Sequence, residues 1–176
     1  MTEYRSKLSD NLIFRAARHD DLPAISSILK AAVARMLAEG KQQWNESYPT
    51  EAHARADIDR GAGYVIEMDG SVVGYTAVVF DGEPAYEHLT GRWLSEGKYV
   101  VAHRMAVSQH LRGKGLGRKF IYAIEEFAKS RNVHSFKIDT NFDNFVMLGL
   151  LDSLGFIYCG EIAYQGDPRK AFEKIL

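Results

Sequence analysis

The stretch from Tyr99 to Ile121 constrains this chain more than any other. It opens as the apolar run Tyr99-Val100-Val101-Ala102 and continues through His103-Arg104-Met105-Ala106-Val107 and a short polar turn. It then enters Arg112-Gly113-Lys114-Gly115-Leu116-Gly117-Arg118, and a helical pattern begins. A strand, a glycine-rich loop and a helix in that order aim several backbone N–H groups at one spot, at the positive end of the helix dipole. That arrangement suits a phosphate. Gly115 and Gly117 let the backbone approach a phosphate that a Cβ would block, while Arg112 and Lys114 place charge at the rim. A dinucleotide fingerprint would have its third glycine one residue later, and the Lys-Ser/Thr of a P-loop is absent. A surface turn with a solvated basic face is the competing reading of these residues taken alone.

The flanking sequence reads as alternating strands and helices. Leu12–Ala17 is a strand. Asp20 or Asp21 caps a helix whose apolar positions (Leu22, Ile25, Ile28, Leu29, Val33, Met36, Leu37) recur at helical spacing up to Gly40. After a polar and aromatic loop to Pro49, Thr50 caps a shorter helix running to about Arg60. Tyr64–Met68 and Val72–Phe80 form a hairpin around Asp69-Gly70. Asp81–Lys98 is an excursion of a length often given to function. The helix after the glycines runs from about Leu116 to Arg131, with Ile121, Ile124, Phe127 and Ala128 inward. Ser135–Thr140 is a strand, and Asp143 or Asn144 caps a helix through Leu154 that Gly155 ends. Phe156–Ala163 is a further strand, and Ala171–Leu176 is the expected last one. One α/β domain with a mixed sheet accounts for this order.

Composition narrows the function. With 176 residues, one domain spanning 1–176 with its core from about residue 12 is expected. A net charge of −1 excludes broad affinity for nucleic acid or anionic membranes. No apolar run approaches the ~20 residues of a membrane span. The polar stretch Met1–Asn11 lacks the apolar core of a signal peptide, so a cytoplasmic location is the expectation. Cys159 stands alone, so no intrachain disulfide forms. Six histidines are scattered without ligand spacing, and no metal site is expected. Ser108 lacks a nucleophile elbow.

The spacing Arg112-x-x-Gly115-x-Gly117 after a strand, with Asn144 near the start of the next-but-one element and Gly155-Phe156 at its end, resembles the GNAT superfamily of acyl-CoA N-acyltransferases. The resemblance runs from about Leu12 to Leu176. The segment Gln42-Gln43-Trp44 to Tyr48-Pro49 looks like one found in many bacterial members. The resemblance implies an α/β (α+β) fold with a central mixed, mostly antiparallel sheet, splayed at its middle strands and flanked by about four helices. It implies an N-acetyltransferase that moves the acetyl group of acetyl-CoA directly to a primary amine of a small molecule, an amino acid or a peptide N-terminus. A non-catalytic acyl-CoA-binding sensor or interaction domain is the alternative, and a homodimer is a candidate assembly.

Carried over residue by residue, the resemblance puts the amides of Met105, Ala106 and Val107 along the pantetheine and thioester. It puts those of Arg112, Gly113, Lys114, Gly115, Leu116, Gly117 and Arg118 around the pyrophosphate, with Asn141 and Asn144 by the pantetheine arm. His103, alternating in phase with Met105 and Val107, is the first candidate for the base that accepts the amine proton. Asp139 is the second, and it is also expected to pair with Arg104 or His103. A bulge between Ala102 and Val107 would invert the phase and turn Arg104 inward. Trp44, Tyr48, Tyr86 and Trp93 are expected as walls of the acceptor pocket. Leu151 stands where members often carry a tyrosine acid, leaving Tyr122, Tyr158, Tyr164 or a water for that role.

Overall fold

The structure, a computed structural model, describes residues 3–176; Met1 and Thr2, the start of the polar N-terminal stretch, lie outside the described residues. In chain order the elements are β1 (Arg5–Ser9), β2 (Leu12–Ala16), α1 (Leu22–Ala38), α2 (Glu51–Asp59), β3 (Gly63–Met68), β4 (Ser71–Val79), β5 (Thr90–Gly91), β6 (Val100–Val107), α3 (Leu116–Ser130), β7 (Ser135–Thr140), α4 (Phe145–Ser153), β8 (Ile157–Tyr164) and β9 (Asp167–Ile175). They belong to two compact units. One takes the chain up to Val78 together with His103–Ala123, and the other takes Val79–Ala102 and Ile124–Leu176. β6 and α3 each contribute to both.

In the first unit the strands follow the order β1-β2-β3-β4-β6, with β1 to β4 antiparallel. The Asp69-Gly70 turn joins β3 to β4, and both residues have positive φ, as a tight hairpin requires. α1 lies on a core of Leu22, Ile25, Leu29, Ala32, Val33 and Met36 packed with Val65, Tyr75 and Ala106. The helical spacing is therefore realised as one buried face, apart from Leu37, which is exposed near the end of the helix. Asp21 takes the expected N-cap position of α1, but its side chain makes no capping hydrogen bond to that helix. Asp21 ends a 3₁₀ turn, His19–Asp21, where its carboxylate accepts the Arg18 N–H at 2.7 Å and a two-point contact from Arg15 at 2.8 and 2.9 Å. Thr50 does cap α2, and its N–H donates to His53 Nδ1 at 3.1 Å.

In the second unit the order is β6-β7-β9-β8-β5. β6 and β7 are parallel, paired at Val100↔Phe136 and Val101↔Lys137, and the other pairs are antiparallel. The mixed, mostly antiparallel arrangement with four α-helices is the one expected. Two boundaries differ. β1 was not foreseen, because Arg5–Ser9 is polar and buries no side chain fully; it is held by its ladder to β2. β9 begins at Asp167, four residues before Ala171, because Tyr164↔Asp167 closes a hairpin on β8 through Gln165-Gly166. The charged start of that strand hid it from a reading by apolar runs.

The excursion of residues 81–98 is folded. It contains a 3₁₀ turn, Pro84–His88, and β5, which pairs with β8. Its far end is tied to β9 by Glu173. That buried carboxylate accepts the N–H groups of Leu94 (2.6 Å) and Ser95 (3.3 Å) and the hydroxyls of Ser95 and Ser135, the latter at 2.7 Å. Removing the acceptor would strand four donors. Glu173→Ala is expected to lower stability by about 3 kcal/mol or more and to speed amide hydrogen exchange at Leu94 and Ser95 selectively. Unchanged exchange at those two amides would show that the loop is held by something else.

Candidate functional site

The glycine turn lies in the first unit. After β6 the chain makes a 3₁₀ turn, Gln109–Leu111, and α3 starts at Leu116. Gly113 (φ 75°) and Gly115 (φ 77°) both adopt the left-handed region, which a residue with a Cβ would enter only under strain. No atom lies within 4 Å of the place a Cβ would occupy at either residue, so the concave side is open. The amides are not equivalent. Arg112 N–H donates to Gln109 O and Lys114 N–H to Leu111 O, both at 3.3 Å, and Lys119 N–H donates to Gly115 O. The N–H groups of Leu116 and Gly117 fall in the first turn of α3, where the helix supplies no carbonyl partner. The turn thus fits a pyrophosphate through Gly113, Gly115, Leu116 and Gly117, with Arg112 and Lys114 flanking it.

β6 carries the bulge that the alternative phase required. Arg104 has φ 55° in mid-strand, and its side chain is only 11% exposed. His103 and Met105 therefore stand on opposite sides of the irregularity. His103 is half-buried, and its carbonyl accepts the Thr76 hydroxyl at 3.0 Å. Met105 and Val107 are half-buried, and Ala106 joins the core under α1.

Of the two partners expected for Asp139, Arg104 and His103, Arg104 instead pairs with Asp57 of α2. Arg104 Nη2 and Nε donate to the two oxygens of Asp57 at 2.6 and 2.9 Å, and Nη1 donates to the Tyr48 hydroxyl at 3.1 Å. Asp57, its side chain 3% exposed, also accepts the Tyr75 hydroxyl at 2.5 Å and Arg60 Nη2 at 2.8 Å. Burial works against the Arg104 charge, but Tyr48 and Asp57 outweigh it and the guanidinium is held protonated. Burial, then the Asp57 charge, pushes the Tyr75 phenol far up, so it stays a donor. Tyr48 is a neighbour of this network as well as of the α1 core. Trp44, read as a pocket wall, is 5% exposed within that core.

The second unit holds the other candidates. Asp139 Oδ1 accepts the hydroxyls of Tyr86 (2.7 Å) and Tyr164 (3.1 Å). Burial, then the Asp139 charge, drives the Tyr86 pKa well up, fixing it as a donor. Tyr86 stacks near Trp93, whose Nε1–H donates to Tyr86 O at 3.0 Å. Asn141 and Asn144 organise the start of α4. Asn141 Oδ1 accepts the Phe142 N–H at 3.0 Å, and Asn144 caps the helix through Met147 N–H at 3.3 Å. Leu151 is fully buried. Of the substitute acids, Tyr122 and Tyr158 are exposed, and Tyr164 is bound to Asp139. Among the described residues no group of His, Cys, Asp and Glu could hold a metal, and no helix is long and apolar enough to cross a membrane.

Asp57 and Tyr75 were missed by sequence reasoning. Asp57 sits in the charged run Glu51–Asp59 of α2, where nothing distinguishes a buried carboxylate from its solvated neighbours. Only the inward arginine of a bulged strand could have signalled that a buried acid was needed.

A strand leading into a glycine turn at a helix N-terminus, within this mixed sheet, is an arrangement that acyl-CoA-dependent acetyltransferases share. The model of the acetyltransferase (GNAT) family matches residues 29–156, and the chain belongs to that family. It is 32% identical over 152 residues to the L-methionine sulfoximine/L-methionine sulfone acetyltransferase of Pseudomonas aeruginosa, covering 83% of this chain and 80% of that protein. It is 26% identical over 155 residues to the IAA acetyltransferase of Azospirillum brasilense, covering 85% and 93%. Among solved structures, a GNAT-family acetyltransferase from Streptococcus agalactiae superposes with a TM-score of 0.87 at 31% identity, over 94% of this chain and 95% of that one.

The Asp57–Arg104 pair should behave as a buried ion pair. Asp57→Ala is expected to cost about 3–5 kcal/mol in urea unfolding, because it leaves a guanidinium uncompensated, while Asp57→Leu with Arg104→Met recovers part of that loss and Asp57→Leu with Arg104→Met and Tyr75→Phe recovers more, since the buried Tyr75 hydroxyl otherwise lacks its acceptor. A loss below about 1 kcal/mol for Asp57→Ala would mean that the pair is effectively solvated.

Proposed function

We propose that the protein acetylates the primary amine of a small molecule, with free amino acids and their analogues as the favoured acceptors. The open glycine turn at the start of α3 is the observation that carries the acetyl-CoA half of this reading. The acceptor half is supported by the 32% identity to an enzyme named for two methionine analogues.

Bound acetyl-CoA supplies an activated acyl group and a thiolate leaving group. The chain supplies the rest. N–H groups of Gly113, Gly115, Leu116 and Gly117, with Arg112 and Lys114, hold the pyrophosphate. An amide of Met105 or Val107 donates to the thioester oxygen, where negative charge grows as the amine attacks. A primary amine is mostly protonated at neutral pH, so the attack needs a proton acceptor, and His103 is proposed for it. Asp139 is the second proposed acceptor, and Asn141 and Asn144 are proposed along the pantetheine. Tyr48, Tyr86 and Trp93 remain proposed contacts of the acceptor, while the burial of Trp44 suits it to holding Tyr48 in place. A water or Tyr164 is left to protonate the thiolate, since Leu151 cannot.

Thiol release from acetyl-CoA across a panel of amino acids, their amides, polyamines and short peptides tests the reading. Turnover is expected with free amino acids. Arg112→Ala is expected to raise the KM for acetyl-CoA about tenfold, the loss of one charge-assisted contact. His103→Ala is expected to lower kcat roughly 100-fold with little change in KM. Calorimetry showing no acetyl-CoA binding would refute the whole reading; binding without turnover of any amine would favour the sensor alternative.

A further inference from the structure

Lys137 and Glu173 face each other across the β7–β9 ladder, where opposite charges ordinarily pair. They do not form an ion pair, because the oxygens of Glu173 already accept two N–H groups and two hydroxyls. Lys137 is nevertheless buried, at 4% exposure. Its Nζ sits between two rings, 4.5 Å from the centroid of Trp93 and 4.2 Å from that of Tyr99. Among the described residues no oxygen accepts a hydrogen bond from this ammonium. The same residue lines a pocket of about 570 Å³ whose wall includes Tyr86, Arg92, Trp93, Ser95 and Tyr99. The ammonium keeps access to solvent through this pocket, and without a protein acceptor the rings and the distant Glu173 charge compensate its partial desolvation only in part. Burial accordingly lowers the Lys137 pKa.

We infer that this pocket binds a small carboxylate, whose oxygens accept the hydrogen bonds that the Lys137 ammonium makes to no protein group. Trp93 and Tyr99 hold the ammonium in place, and Arg92 adds a second positive charge. Glu87 and Glu96 share the wall, which disfavours a phosphate dianion and favours a molecule with one carboxylate, or one carboxylate and one amine. The carboxylate has two sources to separate, the acetyl acceptor itself or an independent ligand. Only the first rests on the transferase reading.

Calorimetry on the full chain with butyrate against butyramide, and with L-methionine against L-methioninamide, tests the site. Each acid is expected to bind at least tenfold tighter than its amide. Lys137→Met is expected to abolish that preference, and Lys137→Arg to retain part of it. The acid–amide comparison on the unmodified protein stands even where a variant folds poorly. Equal binding of acid and amide, no binding of either acid, or an undiminished preference in a folded Lys137→Met protein would each overturn the inference. The source is decided by thiol release. A KM for L-methionine lower than that for L-methioninamide, at similar kcat, assigns the carboxylate to the acceptor. Butyrate binding that leaves methionine turnover uninhibited assigns it to an independent ligand. Absence of any transfer would refute the proposed function while leaving the butyrate comparison intact.

Discussion

The ion pair between Arg104 and Asp57 is the contact on which the first unit's site depends. A β-strand does not readily hold an arginine at φ 55°, and it does not readily bury one. Both costs are offset at once, because the bulge turns the guanidinium onto a carboxylate that α2 holds in the interior. Asp57 is in turn kept there by Tyr75 of β4 and Arg60 just beyond α2. The pair therefore fixes α2, β4 and β6 against one another and, through Tyr48, the loop after α1. The 3₁₀ turn, the two left-handed glycines and the first turn of α3 continue directly from β6 and inherit that placement.

The second unit repeats the device with other residues. Glu173 binds the end of the long excursion, and Asp139 gathers Tyr86 and Tyr164. Glu173 is fully buried and Asp139 half-buried, and each carboxylate ties a polar part of the excursion to the sheet. Loops held by apolar contact alone would tolerate small shifts of packing. Loops held by several hydrogen bonds to one carboxylate do not, because losing any one bond leaves a buried donor unpaired. An enzyme that must place an amine against an acyl carbon gains from that rigidity.

The elements carried by periodicity were legible in the sequence. The α1 face, the Asp69-Gly70 hairpin, the glycine turn and the Gly155 stop depend on local patterns, and each lies where those patterns put it, within a few residues. β1 and the first half of β9 were not legible, since polar strands held by their ladders leave no apolar signature. The glycine turn could be read because a left-handed backbone favours glycine, as at Gly113 and Gly115. The charge pairings could not. His103, Arg104, Asp57, Asp139, Lys137 and Glu173 are ordinary letters until the sheet register and one positive φ decide which of them meet. The sequence argument named the bulge as an alternative but had no means of finding Asp57 as the partner it would need.

That division has a consequence for how acceptor choice is encoded. The relatives named for methionine sulfoximine and for IAA resemble this chain across more than 80% of its length. Relatives that carry different names share this frame, so the backbone alone does not choose an acceptor. The distinction has to reside in side chains that the common frame merely presents, and polar side chains discriminate more sharply than apolar ones. An apolar wall separates ligands by a methylene or two, whereas a buried group left without its partner penalises the wrong ligand heavily. In this chain the buried ionisable groups include Asp57 on α2, Tyr75 on β4, Tyr86 on the excursion, Glu125 on α3, Lys137 on β7 and Glu173 on β9. In such a frame the choice of ligand turns on which molecule leaves those buried groups paired.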